Sequence, residues 1–200
     1  MRRGAVHQTV AALLMIGATL LAADGAWASR EIAGTGRVEL AFTPGDAIDV
    51  RIVEAIDAAE AEVLVLAYSF TQPKIARALI AARARGVDVE VVADRSQTQE
   101  TPSSVVAMLA KAAVPVRLDG NYAAAHNKVV IVDAGLARAT TITGSYNFTV
   151  AAQRRNAENV AIFRDNTEVA GTYRAYFKRL QARAQLWNGG EFPPAGRVRR

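Results

Sequence analysis

The run "VLVLAYSF" at 63–70 constrains the fold more than any other stretch. It carries no charge and lacks the apolar–polar alternation of a strand that faces water on one side. A strand apolar on both faces has to be covered on both faces, as in a sheet flanked by helices. The next segments agree. "PKIARALIAARARG" (73–86) has proline in its first turn and closes at Gly86, as a well-punctuated helix does. "VDVEVVAD" (87–94) reads as another strand. Upstream, 37–44 is a short strand stopped by Pro44, and 46–62 sets Ile48, Ile52, Ile56 and Ala59 at helical spacing. Downstream come a helix (102–113), a short strand (114–118) and strands within 125–133, 138–149 and 158–163. A final helix (166–186) carries Val169, Tyr173, Tyr176, Phe177, Leu180 and Ala184 on one stripe. Strands alternating with helices give an α/β layered domain. The close spacing of the strands between 126 and 163 makes part of the sheet antiparallel, so the sheet is mixed. One domain over 29–190 accounts for the pattern.

The ends differ from this domain. Arg2 and Arg3 precede the apolar stretch "TVAALLMIGATLLAA", and "AWA" at 26–28 fits a small-x-small cleavage site. Residues 1–28 therefore read as a signal peptide cut after Ala28, which implies a periplasmic or secreted protein; the alternative is an uncleaved anchor helix. Residues 191–200 form a basic tail. The chain has no cysteine, which excludes disulfides, zinc–thiolate sites and a cysteine nucleophile. A net charge of +5 leans towards an anionic partner such as nucleic acid or phospholipid.

The chemistry concentrates at "AHNKVVIVD" (125–133). Strand parity puts His126, Lys128, Val130 and Val132 on one face, with Asp133 on the other. An imidazole and an ammonium then project together, about 6–7 Å apart along the strand, and both can donate to an oxyanion. Eleven residues after Asp133 comes "GSYNFT" (144–149). Gly144 permits a sharp turn or a close backbone approach. Ser145 and Asn147 share parity and offer neutral donors, and Glu158 precedes another apolar strand. Singly, each of these residues also fits ordinary turn or strand-end chemistry.

Together, His126-x-Lys128-x4-Asp133, Gly144-Ser145-x-Asn147 and Glu158 resemble the HKD signature of the phospholipase D superfamily. "AYSFT" (67–71) and "RGVDVEVVAD" (85–94) fit the same resemblance, to short members with one motif per chain. It implies a phospholipase D-like fold and a phosphodiesterase working through a phosphohistidine intermediate. His126 is then the nucleophile, and a second histidine protonates the leaving oxygen and later activates water. Lys128 and Asn147 hold the phosphoryl oxygens, Glu158 orients His126, and Ser145 sits nearby. Asp133 and Gly144 are structural members of the motif. The resemblance also implies hydrolysis without a metal or other cofactor. The chain's two histidines are His7 and His126, and His7 falls in the signal peptide. A two-histidine mechanism therefore calls for a homodimer with both motifs at one axis.

Arg95, Arg154 and Arg155 lie close in sequence to the motif and are candidates for flanking phosphates. Tyr122 and Tyr146 are candidates for stacking on a base. A short, basic, exported chain with a single motif favours a non-specific endonuclease acting on DNA, with RNA as a further option. The alternative is a phospholipase D that hydrolyses phosphatidylcholine-type lipids to phosphatidate. A third reading is a non-catalytic nucleic-acid-binding module.

Overall fold

The computed structural model describes Ser29 and residues 31–193. The expected signal peptide and nearly all of the basic tail lie outside the described residues. No helix among the described residues is long and apolar enough to cross a membrane.

The chain forms one mixed sheet. β1 (Arg37–Thr43) leads through α1 (Ile48–Asp57) to β2 (Glu62–Ala67), and α2 (Pro73–Ala84) returns to β3 (Asp88–Asp94). After α3 (Arg95–Glu100) and α4 (Val106–Lys111) come β4 (Val116–Asp119), β5 (Lys128–Val132) and β6 (Thr140–Gly144). Then α5 (Val150–Arg154), β7 (Glu158–Arg164), α6 (Thr167–Gln181) and β8 (Gln185–Trp187) complete the order. The sheet runs β1-β7-β6-β5-β2-β3-β4-β8. β2, β3 and β4 are parallel, whereas β5, β6 and β7 pair antiparallel. Two apolar layers sandwich it. Val63, Val65, Val89, Val91, Val130 and Ile142 face α1 and α2. Leu64, Leu66, Val92, Val129 and Ile131 pack under α6 against Phe177 and Leu180. Every residue of β2 is buried, as its unbroken apolar run requires.

Several elements differ from the sequence reading. The first helix stops at Asp57 because the backbone N–H groups of Glu60, Ala61 and Glu62 donate to the Asp133 carboxylate instead of continuing the helix. The last helix ends at Gln181, and Gln185–Trp187 pairs with β4 as an edge strand. α3 and α5 were not expected from the sequence. Each is a short turn capped by a side chain: Asp94 accepts from Gln97 N–H, and Thr149 from Ala152 N–H.

The topology gathers one end of the sheet. The C-terminal ends of β2, β3, β6 and β1 meet the N-terminal ends of β5 and β7 there. His126, Lys128, Ser145, Asn147 and Glu158 all sit at this end, and Asp133 sits at the other.

Candidate active site

His126 is not in the strand. β5 begins at Lys128, and Asn127 N–H turns back to the Ala125 carbonyl at 2.9 Å. Tyr68 N–H holds the Asn127 carbonyl at 2.8 Å, and an Asp94 carboxylate oxygen accepts from Ala125 N–H at 2.8 Å. This bend replaces the separation expected from a straight strand. Lys128 Nζ lies 2.9 and 3.1 Å from the two ring nitrogens of His126 and 3.2 Å from its carbonyl oxygen. The Tyr68 ring closes the cluster, with its centroid 4.3 Å from that of His126 and 4.9 Å from Lys128 Nζ. The imidazole is exposed, whereas Lys128 is buried. Burial pulls the ammonium's pKa below the ordinary lysine value, and the charge of Glu158 partly opposes that.

The second half of the site comes from the β6–β7 pair. A side chain at Gly144 would run into the Asn159 carbonyl and Val160 Cα, so the close approach of β7 demands glycine. Next to it, Ser145 Oγ donates to Glu158 Oε2 at 2.5 Å and accepts from Asn159 N–H at 3.1 Å. Glu158 Oε1 accepts from Asn156 Nδ2 at 2.9 Å, and Glu158 N–H donates to Thr43 Oγ1 at 3.1 Å. The carboxylate thus takes its hydrogen bonds from Ser145 and Asn156. The expected contact with His126 of the same chain is not made.

Asn147 follows on a loop fixed by Phe148. The Phe148 ring packs edge-on against Phe70 at 5.6 Å, and its carbonyl accepts from Thr71 and Gln72 N–H. Asn147 Oδ1 is buried and has no hydrogen-bond partner among the described residues. The residue lines a cleft of about 540 Å³ together with Tyr68, Ser69, Gln97, Ser103 and Arg155. Hydroxyl, amide and guanidinium groups mark that wall as a place for an anionic or polar chain.

The structure gives three of the expected substrate-contact residues other neighbours. Tyr146 is 1% exposed, its hydroxyl donates to Gln153 Oε1 at 3.2 Å, and burial drives its phenol pKa upward, so it packs the core and cannot stack on a base. The Arg95 guanidinium is engaged by the Pro193 carbonyl at 2.6 and 3.2 Å. Tyr122 packs against the core beneath α6. Arg154 is exposed but does not line the cleft; Arg155 is exposed and does.

Asp133 lies far from this chemistry. Its carboxylate accepts from Glu60, Ala61 and Glu62 N–H at 3.0, 2.7 and 3.0 Å, and from Arg138 Nε at 3.3 Å. Burial pushes its pKa up, but these donors together hold it below the ordinary carboxylate value. No group of three or more His, Asp or Glu side chains able to hold a metal occurs among the described residues.

Two contributors were missed in the sequence. Tyr68 lies just past the end of a central buried strand, where ligands gather in α/β sheets. Asp94 ends the neighbouring strand and pins the residue before His126. The signal was position: both stand at strand ends on the site side of the sheet.

Comparison with known proteins agrees with this architecture. Residues 52–181 match the family model described as "Cardiolipin synthase, PLD-like domain". The chain is 39% identical over 137 residues to a phospholipase D of Rickettsia bellii, covering 68% of this chain and 65% of that protein. It is 32% identical over 150 residues to the mitochondrial cardiolipin hydrolase of Homo sapiens, covering 75% and 57%. The chain thus spans somewhat less than two thirds of the length of these curated relatives. Among solved structures, the phospholipase D family member Nuc from Salmonella typhimurium aligns with a TM-score of 0.69 at 34% identity, covering 76% of this chain and 97% of that one. NucT from Helicobacter pylori aligns with a TM-score of 0.66 at 25% identity, covering 76% and 99%. The mixed sheet, the gathering of His126, Lys128, Ser145, Asn147 and Glu158 at one end of it, and these matches assign the chain to the phospholipase D superfamily.

Proposed function

We propose that the protein is a metal-independent phosphodiesterase that cleaves nucleic acid through a phosphohistidine intermediate, at a site completed by a second copy of the chain. The observation that carries this reading is the His126–Lys128 pair, with an ammonium within 3.1 Å of both ring nitrogens, packed on Tyr68, which also lines the cleft beside Asn147. In this reading a phosphodiester reaching from that cleft past Tyr68 presents its phosphorus to the imidazole. A His126 nitrogen forms the P–N bond as the P–O bond to the leaving group breaks, and a second imidazolium gives its proton to the departing oxygen. That imidazole then takes a proton from water, the oxygen bonds to phosphorus, and the P–N bond breaks. Lys128 and Asn147 meet the charge on the phosphoryl oxygens. His126 is the chain's one histidine outside residues 1–28, so the second imidazole comes from a second copy.

Nucleic acid is the favoured substrate because the cleft beside Asn147 is lined by Ser69, Gln97, Ser103 and Arg155. These groups suit a neighbouring phosphate and sugar. The second reading, a lipid phosphodiester, is favoured by the names of the Rickettsia and mitochondrial relatives. Incubating the purified protein with plasmid DNA and with phosphatidylcholine vesicles, each in EDTA, separates the two. Nicked plasmid in EDTA is the expected result. Arg155→Ala should weaken DNA binding across all sequences and reduce its salt dependence by about one phosphate contact. Head-group release well above any nicking would select the lipid reading, and activity lost in EDTA and restored by one metal would remove metal independence.

A further inference from the structure

The loop after β2 ties the two halves of the site together. Tyr68 N–H donates to the Asn127 carbonyl at 2.8 Å, between His126 and Lys128. Further along, Thr71 and Gln72 N–H both donate to the Phe148 carbonyl at 2.9 Å, beside Asn147. Between them the Phe70 carbonyl accepts from Val105 N–H at 3.0 Å, and the Phe70 ring is buried against Phe148. The backbone at 68–72 is therefore fixed without help from the Tyr68 side chain. That side chain faces the reacting pair instead. Its ring centroid lies 4.3 Å from that of His126, tilted by 57°, and 4.9 Å from Lys128 Nζ. An ammonium at that range is attracted by the π-face, and more strongly where water is excluded, as it is around the buried Lys128. The Tyr68 hydroxyl has no hydrogen-bond partner among the described residues, so the ring and not the phenol oxygen makes the contacts.

We propose that Tyr68 is a positioning residue, whose ring holds the His126 imidazole and the Lys128 ammonium in one fixed relation beside the cleft that Tyr68 also lines; the inference rests on the phosphodiesterase reading above. The imidazole needs such a partner. It is exposed, it stands on a bend outside the strand, and the Glu158 carboxylate is taken up by Ser145 and Asn156. Among the described residues, Lys128 and Tyr68 are the two side chains that meet it. Lys128 is an unbranched stem whose direction the imidazole cannot set by itself, and Tyr68 touches both. A nucleophile works only from a near-attack geometry, so an imidazole set loose costs turnover more than it costs binding.

The test compares Tyr68→Phe, which keeps the ring, with Tyr68→Leu, which keeps an apolar cover without a π-face. Hydrolysis of bis(p-nitrophenyl) phosphate reads kcat and KM whatever the natural substrate. Proton–carbon spectra of the full chain carrying ¹³C-histidine read the imidazole itself. The chain has two histidines, and the signal missing from His126→Ala identifies that of His126. An aromatic ring 4.3 Å away displaces that signal by its ring current. Tyr68→Phe should keep the displacement and turn over like wild type. Tyr68→Leu should lose it, melt close to wild type, and fall in kcat by about 5–30-fold at unchanged KM, the size of one ring–cation contact. A Leu variant with wild-type kcat and an unmoved His126 signal would overturn the proposal. A Phe variant as slow as the Leu variant would overturn it too, by giving the role to the hydroxyl. So would a Leu variant changed in KM alone, which would make Tyr68 a wall of the cleft and nothing more. Failure of the phosphodiesterase reading looks different: wild type does not hydrolyse the ester, or His126→Ala hydrolyses it at the wild-type rate. The His126 signal in Tyr68→Leu then decides the ring contact by itself.

Discussion

Lys128 shows the conflict between burial and charge at a single residue. Its ammonium is withdrawn from water, yet the proposed reaction needs it protonated to hold a phosphoryl oxygen. Burial lowers its pKa and the Glu158 charge raises it, so removing that charge lowers it further. The alkaline limb of kcat/KM, which reports the free enzyme, should therefore move to lower pH in Glu158→Gln, and a limb that stays in place would disprove the coupling. The same shift bears on stability. Between the lowered pKa and the ordinary lysine value, the unfolded chain binds more protons than the folded one, so stability rises with pH in that window. Lys128→Met should thus melt at a higher temperature than wild type at neutral pH. That gain should shrink as pH rises through the window, while activity falls about 10²–10³-fold. Asp133 has the opposite sign. Its folded pKa is depressed, so its stabilisation is present above the ordinary carboxylate value and is lost as pH falls through the depressed one. Asp133→Ala leaves three backbone N–H groups without their acceptor and should cost about 2–4 kcal/mol in urea unfolding.

At the scale of elements, the site depends on how closely β6 and β7 approach. Gly144 faces the Asn159 carbonyl with no room for a methyl group, and that contact sets the position of Ser145 against Glu158. Gly144→Ala has to push β7 away, so it should lower stability by about 1–3 kcal/mol and lower activity with it. Calorimetry and hydrolysis measured on the same variant check both, and a variant with wild-type melting and activity would show that the strands yield without cost. The short capped turns act in the same way. Asp94 closes β3, caps α3 and holds Ala125, so one carboxylate ties a central strand to the bend that carries His126.

For the whole molecule, the proposed two-histidine reaction calls for an assembly, because His126 is the one histidine outside residues 1–28. Dimers mixed from wild type and His126→Ala, with differently tagged chains so that they can be purified, should be inactive, because each holds one of the two imidazoles. Mixed dimers at half the wild-type rate would mean that each chain carries a complete site. The sequence by itself settled the layered α/β class, because the unbroken apolar run of β2 can be buried only between two helical layers. It also settled the family, because residue types such as His126, Lys128, Gly144 and Asn147 recur at fixed spacings along the chain. Parity placed His126 on a straight strand, and nearness in sequence made Tyr146 a candidate for stacking on a base; the structure puts His126 before the strand and Tyr146 in the core. Side-chain direction at a bend depends on hydrogen bonds from residues distant in sequence, here Tyr68 N–H and the Asp94 carboxylate. The buried side of β1 was hidden for the same reason: Leu40 and Ala41 are both apolar, yet Leu40 is exposed and Ala41 buried, and only the register across β7 and β6 decides which of them meets the core. Spacing along the chain is a local property that the sequence carries in full. Burial and direction belong to pairs of elements, and they exist only once the sheet has closed.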